Sequence, residues 1–331
     1  MTNKINHNLI DAVIGTTYIC NSRCIMCNIW QIKDQPTLTL ADYRKLPKTL
    51  KYINISGGEA FMHPEIVEIV RVTAETCHQA KLTISTNGFS TDLILDRMKQ
   101  ILEFAPEIGV SISLDGIGEK QYEVRRIPDG YEKIMRTFKG LQKLGIANSR
   151  LRLAFTAGDY NIEHLSKVYD LTRELGIEMT LAAVHNSDNY FMIATNKITR
   201  FDEFKKEFDY VIKQELKTFK PKRWLRAYFT YGLYKFVTTG KRILPYMAGR
   251  NSFYLDPDGW VFSTTVATKR MGNLKEFNSL EDLMDASQAQ EVLANDTEGH
   301  NWMICTTRAA MKSHPFRVGF WILKNKFLGM R

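Results

Sequence analysis

Over roughly its first 218 residues the chain alternates short β-branched runs with longer amphipathic stretches, and this rhythm limits the fold more than any other feature. Strand-like runs fall at 12–19, 51–56 (KYINIS), 80–86 (AKLTIST), 108–114 (IGVSISL), 150–156 (RLRLAFT) and 178–184 (EMTLAAV). The intervals predict helices over about 39–48, 64–78, 91–104, 130–145, 161–175 and 200–218. Pro64 stands near the first position of its helix, where proline is favoured because that N–H has no helical partner. The stretch YEKIMRTFKGLQKLG after Gly130 keeps apolar residues at helical spacing and stops at Gly145. Six βα units predict an α/β fold with a parallel sheet covered by helices. No repeat other than this rhythm and no low-complexity stretch is present.

At 331 residues the chain has room for two domains, or for one large barrel with an appendage. With 44% hydrophobic residues it can bury a core without disulfide staples. Its five cysteines are an odd number and few for the length, which excludes a disulfide-framework secreted domain. No apolar run approaches the ~18 residues of a membrane span. The N-terminal MTNKINHNLIDAVIG lacks the apolar core of a secretory signal, so a reducing cytoplasmic setting is expected.

Three of the cysteines, Cys20, Cys24 and Cys27, lie within eight residues in TTYICNSRCIMCNIW. They follow the first strand, on the loop where α/β enzymes place their chemistry. Zinc sites usually offer four ligands from paired C-x-x-C hooks or nearby histidines. Here the closest histidines are His7 and His63. Three thiolates leave one metal position open, which in an iron–sulfur cluster is where a substrate or cofactor binds. Metal-free reduced thiols are the alternative.

The C-x-x-x-C-x-x-C pattern after a first strand resembles the radical S-adenosylmethionine (SAM) superfamily. The resemblance implies a partial (β/α)6 TIM-like barrel and one [4Fe-4S] cluster held by Cys20, Cys24 and Cys27. It also implies a fourth iron that binds the amino and carboxylate groups of SAM. Reductive cleavage of SAM would then give a 5′-deoxyadenosyl radical that takes a hydrogen atom from substrate. Met26 stands where relatives often carry an aromatic, and it offers adenine a soft apolar surface. ISGGEAF (55–61) follows the second strand and resembles the family's GGE motif, which implies that Gly57, Gly58 and Glu59 hold the SAM amino group. STNG (85–88) and SLDG (113–116) end strands three and four. Family likeness assigns Ser113 to the SAM ribose, with Asn87 and Asp115 divided between ligand contact and turn formation. In YEVRRIPDGYEKI, Arg125 matches a family arginine that contacts SAM or substrate, and Arg126 is the spare. Cys77 shares a helical face with Ile66, Val70 and Ala74 and reads as a core residue.

Residues 219–331 break the rhythm, so the expected division is a core at 1–218 and an α+β C-terminal extension at 219–331. NSFYLDPDGWVFS reads as a strand pair about an Asp-Pro-Asp-Gly turn. The order PYMAG, DPDG, GNL and a final tryptophan segment resembles SPASM/twitch extensions, whose cysteines bind an auxiliary iron–sulfur cluster. Here Tyr246 and Thr264 replace cysteines, Asn301 precedes Trp302, Glu298 sits three residues earlier, and only Cys305 remains. The auxiliary cluster is therefore expected to be absent, with Cys305 either a core residue or a hydrogen-transfer participant.

Lys and Arg (45) exceed Asp and Glu (36), a formal charge of +9. Residues 308–331 interleave basic residues with Phe and Trp, a pattern of either a peripheral membrane helix or a helix packed on the barrel. Lys222, Arg223, Arg226, Lys235, Lys241 and Arg242 add a basic segment suited to an anionic sugar or lipid substrate. No nucleic acid is expected, since no binding module for it appears. The expected partners are a peptide or small-molecule substrate and an electron donor such as flavodoxin or ferredoxin. A cluster-bearing protein that no longer catalyses and serves as a partner or regulator is the alternative reading.

Overall fold

The computed structural model describes residues 5–295 and 301–329. The barrel half runs β1 Asp11–Gly15, α1 Leu40–Tyr43, β2 Tyr52–Ser56, α2 Ile66–Thr76, β3 Lys81–Thr86, α3 Thr91–Leu102 and β4 Gly109–Ser113. It continues with α4 Glu119–Arg125, α5 Gly130–Lys143, β5 Leu151–Ala157, α6 Leu165–Glu174, β6 Glu178–Ala183 and α7 Phe201–Leu216. The rest comprises α8 Pro221–Thr239, β7 Ser252–Leu255, β8 Trp260–Phe262, β9 Gly272–Asn273, α9 Leu280–Asp285, α10 Ser287–Asn295, α11 Ile304–Ser313 and α12 Pro315–Phe327.

Strands β1 to β6 pair in parallel, each beside its predecessor, in the unclosed arc of a partial TIM-like barrel. Strand alternation sends Ile53 and Ile55, or Val110 and Ile112, to the helix layer, where they are at most 1% exposed. The opposite set faces the barrel interior and is polar. Ser85 Oγ donates to Asn54 Oδ1 on the neighbouring strand (2.8 Å), and Arg152 Nη1 of β5 reaches across β4 to Thr83 Oγ1 of β3 (3.1 Å).

All six expected strands and most expected helices form. The stretch expected as a helix at 39–48 holds only α1, because Pro47 cannot donate into a helix and disfavours helical geometry just before it. The first strand stops at Gly15 rather than at 19. One short helix, α4, has no counterpart in the expectation. Cys77 caps α2 as a buried residue whose Sγ donates to the Pro47 carbonyl (3.4 Å).

The extension continues the barrel's own sheet. β7 adds in parallel to β1, pairing Asp11 with Ser252 and Ile14 with Leu255, and β8 and β9 follow antiparallel. The expected boundary at 218 falls between α7 and α8, which pack along each other, and one hydrophobic core runs through both halves. Trp302 is fully buried there, with its indole N–H on the Phe229 carbonyl (2.8 Å). Among the described residues no helix is long and apolar enough to cross a membrane.

Candidate functional site

The three clustered cysteines sit on the irregular loop that leaves the C-terminal end of β1. That loop is held against the turn after β2: Thr16 N donates to Ser56 O (2.9 Å), Gly58 N to Thr17 O (2.7 Å) and Glu59 N to Ile19 O (2.9 Å). A Cβ on Gly58 would lie 2.5 Å from the carbonyl oxygens of both Tyr18 and Ile19. One on Gly57, at φ +128°, would lie 2.5 Å from Thr17 O. The glycines are thus required by the close approach of the cysteine loop itself.

Donors converge on the sulfurs. Ser22 N and Asn87 Nδ2 point at Cys20 Sγ (3.5 and 3.8 Å), and Arg125 Nη1 at Cys24 Sγ (3.5 Å). Ser22 Oγ lies 3.0 Å from Cys24 Sγ and donates to the Arg125 carbonyl (3.1 Å). Burial pushes the Cys20 and Cys27 thiols up to about 12, a penalty that metal coordination removes. Soft thiols met by N–H donors suit an iron–sulfur cluster. Among the described residues no three Cys, His, Asp or Glu side chains come close enough to hold one ion.

Glu59 is buried and already engaged. Its carboxylate accepts from Asn87 N (2.6 Å), Thr86 Oγ1 (2.8 Å) and Phe61 N (3.3 Å), and burial raises it to about 7. Asn87 also donates to Asn21 Oδ1 (2.7 Å). Asp115 is fully buried: Oδ2 pairs with Arg125 at 2.5 Å, Oδ1 accepts from Thr156 N (2.7 Å), and the main-chain oxygen accepts from Asn161 (2.9 Å). Asp115 thus braces the Arg125 guanidinium, whose Nη1 faces Cys24 Sγ. Arg126 follows in left-handed conformation at φ 56°. Ser113 closes β4 beside Ala154, partly exposed. Met26 packs in a small apolar cluster with Cys24, Val124 and Val184.

A segment that motif reading missed completes the site. Residues 185–196 leave β6 and close on themselves through Ser187 and Ile193. Asn196 Nδ2 donates to Met26 O (3.1 Å) and Asn28 N to Phe191 O (2.7 Å), fastening the segment to the cysteine loop. Tyr190 Oη meets Ser56 Oγ (2.9 Å), and Asn189 Nδ2 donates to Ala267 O (2.8 Å) in the extension. The polar run VHNSDNY directly after a strand was the available signal, the same one that marked STNG and SLDG. Three buried polar atoms here have no hydrogen-bond partner among the described residues: Tyr160 Oη, His185 Nε2 and Asn189 Oδ1.

His185 stacks on Phe191 (4.6 Å between centroids), and burial pulls its imidazole down to about 4. An unfolded histidine titrates near 6.5. The stability of the neutral buried ring is therefore complete above pH 6.5 and is lost as pH falls toward 4. We expect a loss of about 3 kcal/mol over that window. Denaturation midpoints at pH 7 and 4.5 check this, and His185→Phe should shrink the difference. An equal fall in the variant would show that other groups carry it.

In the extension, Arg242 occupies the space between the PYMAG and tryptophan segments. Its guanidinium lies over the Tyr246 and Trp302 rings (5.3 and 5.0 Å) and donates to Leu244 O (3.3 Å), Pro245 O (3.3 Å) and the Asn301 carbonyl. Burial pulls it down to about 10, so it stays charged at neutral pH. Thr264 is buried and accepts from Val266 N (3.1 Å), and Asn301 Oδ1 accepts from Thr306 Oγ1 (2.8 Å). Cys305 packs with Val13, Tyr254 and Tyr190. Glu298 and Arg331 lie outside the described residues. Three basic residues of α8 pair with carboxylates: Lys222 (2.7 Å) and Arg226 with Glu178, and Arg223 with Glu215 (2.9 Å).

Residues 14–172 match the family model of the radical SAM superfamily. They form a radical SAM domain. Members bind a [4Fe-4S] cluster and SAM. Over 206 residues, 60% of each chain, this radical SAM protein is 25% identical to a GTP 3',8-cyclase of Chlorobaculum tepidum. It is 24% identical over 192 residues to a probable GTP 3',8-cyclase of Saccharolobus islandicus. The matches span about three-fifths of those relatives' length. Among solved structures it is similar to native anSMEcpe with bound AdoMet, at TM-score 0.64 and 15% identity, covering 96% of this chain and 99% of that one. It is also similar to Streptococcus suis SuiB bound to precursor peptide SuiA, at TM-score 0.64 and 16% identity, covering 88% and 68%. At such identities the likeness establishes the fold, and the coverage of 96% carries it into the C-terminal extension.

Proposed function

We propose that Cys20, Cys24 and Cys27 hold one [4Fe-4S] cluster, and that this chain cleaves SAM to start hydrogen abstraction from a peptide or small molecule that presents polar, uncharged groups to the site. The observation that carries this reading is the set of donors from Ser22, Asn87 and Arg125 aimed at the clustered sulfurs. When bound, the cluster and SAM supply a one-electron cleavage whose radical product takes the hydrogen atom. The chain supplies orientation and exclusion of water. Gly57 and Gly58 bring the β2 turn onto the cysteine loop. Glu59 and Asn87 tie that turn to β3 and, with Met26, Ser113 and Arg125, form the wall assigned to SAM. Asp115 is the positioning residue behind Arg125.

The orphaned atoms support this choice of substrate class. His185 Nδ1 faces the Ala183 carbonyl (3.3 Å) and donates to it, which leaves Nε2 an acceptor. Asn189 Oδ1 is a second acceptor. Buried acceptors without partners call for N–H or O–H groups from a ligand. The interior cations already have carboxylates: Arg152 lies 3.8 Å from Glu178 and Arg308 pairs with Asp11. Amide or hydroxyl groups fit this lining better than a phosphate. A flavodoxin or ferredoxin would supply the electron.

Anaerobic reconstitution should give about four irons per chain, and dithionite should release 5′-deoxyadenosine from SAM. Cluster and SAM binding without any SAM cleavage would instead support a non-catalytic partner role. About eight irons would mean that a second cluster is present.

A further inference from the structure

The extension carries a surface that the proposed reaction does not use. On α12, Phe316, Phe320, Leu323 and Phe327 recur at helical spacing and point to solvent. Phe316 is 92% exposed and Phe320 72%. The opposite face, Val318 and Ile322, is buried, and Trp321 lies on Tyr228 and Tyr231 of α8 (5.3 and 4.8 Å). The helix is thus already anchored through its other side, and the outer stripe is surplus to the core. Phe219, 85% exposed, extends the patch under Lys326, whose ammonium sits 4.7 Å from its ring. An exposed apolar patch of this kind marks an interaction surface.

Charge identifies the occupant. Residues 217–255 and 301–331 contain 15 Lys and Arg and no Asp or Glu. The remainder of the chain is therefore net negative, and the whole +9 excess comes from these two segments. Several of the cations are paired inside, but Arg317 and Lys324 are exposed along one edge of the stripe, and Lys217 and Lys220 are exposed near Phe219. A second copy is disfavoured, because a two-fold contact would set the like charges of Arg317, Lys324, Lys217 and Lys220 opposite one another. We propose that this face docks on an anionic lipid bilayer, with the α12 phenylalanines entering the interface and the lysines and arginines meeting the headgroups.

The topology sets the orientation. Lys326 Nζ bonds the Leu216 and Thr218 carbonyls (2.6 and 2.9 Å) at the end of α7, and α8 begins beside Glu178, the first residue of β6. The patch is therefore at the N-terminal end of the strands. The cysteine loop is at the C-terminal end of β1, so docking leaves it facing away from the membrane.

Flotation of the full, cluster-loaded chain with phosphatidylcholine vesicles, with and without phosphatidylglycerol, tests this. Binding is expected only with phosphatidylglycerol, and it should weaken as salt rises. Phe316→Ser with Phe320→Ser, and separately Arg317→Glu with Lys324→Glu, should each lower binding about tenfold or more. These side chains are exposed, so unchanged denaturation midpoints and iron content will show that the variants fold. Absence of flotation with either vesicle, or equal flotation of the variants, overturns the proposal. So does self-association in sedimentation that the phenylalanine variant relieves, since the face would then be a contact between copies.

Discussion

Replacing any one of Cys20, Cys24 or Cys27 by serine is expected to abolish stable cluster binding and, with it, 5′-deoxyadenosine production. Each thiolate would serve a different iron, so the loss of one leaves an iron without its protein ligand. A neutral hydroxyl is a hard, weakly bound substitute at a soft site. Iron per chain should fall from about four to well below it. Cys77→Ser and Cys305→Ser are the controls. Cys77 is buried against Pro47 and Cys305 packs with Tyr190 and Tyr254, so neither change should reduce the iron content. Product formation by Cys305→Ser also asks whether that thiol takes part in hydrogen transfer. A triad variant that retained four irons would sink the ligand assignment.

Asp115→Ala should cost about 3–5 kcal/mol of stability, the effect of leaving a buried charge without its partner. The carboxylate is fully buried, and three groups depend on residue 115: Arg125, Thr156 N and the Asn161 amide. Removing the side chain leaves the Arg125 guanidinium desolvated and the Thr156 N–H unpaired. Chemical denaturation measures the loss. A merely structural role would end there. If Asp115 positions Arg125 on Cys24, the cluster of surviving Asp115→Asn protein should also have a more negative reduction potential. Fewer hydrogen bonds to the sulfurs stabilise the reduced cluster less. Asp115→Ala combined with Arg125→Met should recover part of the stability, because both buried charges are gone, but not the potential. An unchanged potential in Asp115→Asn would confine the residue to folding.

Much of the barrel was readable because its signals are local. The period-2 runs at 51–56 and 108–114 became β2 and β4 with only end residues trimmed. The shortened α1 was in principle legible too, since Pro47 stands in the sequence as a stop. α4 was not, because seven largely polar residues give too weak a periodicity to separate from a loop. At the site, the cysteines and the GGE turn were legible as motifs. The 185–196 segment was not read as part of it, because its tethers reach Met26, Asn28, Ser56 and Ala267, all far away in the chain.

The same distinction separates the charges. Reading Lys222, Arg223, Arg226, Lys235, Lys241 and Arg242 in line suggested an anionic substrate. Folding places Glu178 and Glu215 beside the first three and carbonyl oxygens around Arg242. Spacing within a window of a few residues establishes which elements form and which ligand types stand together. That is why six βα units and three thiols could be read from residue order. Which carboxylate neutralises which cation, which acceptor stays unpaired and which phenylalanine stays wet depend on contacts between segments up to hundreds of residues apart. Chain folding selects those partners through burial and hydrogen-bond geometry, and no local spacing encodes them.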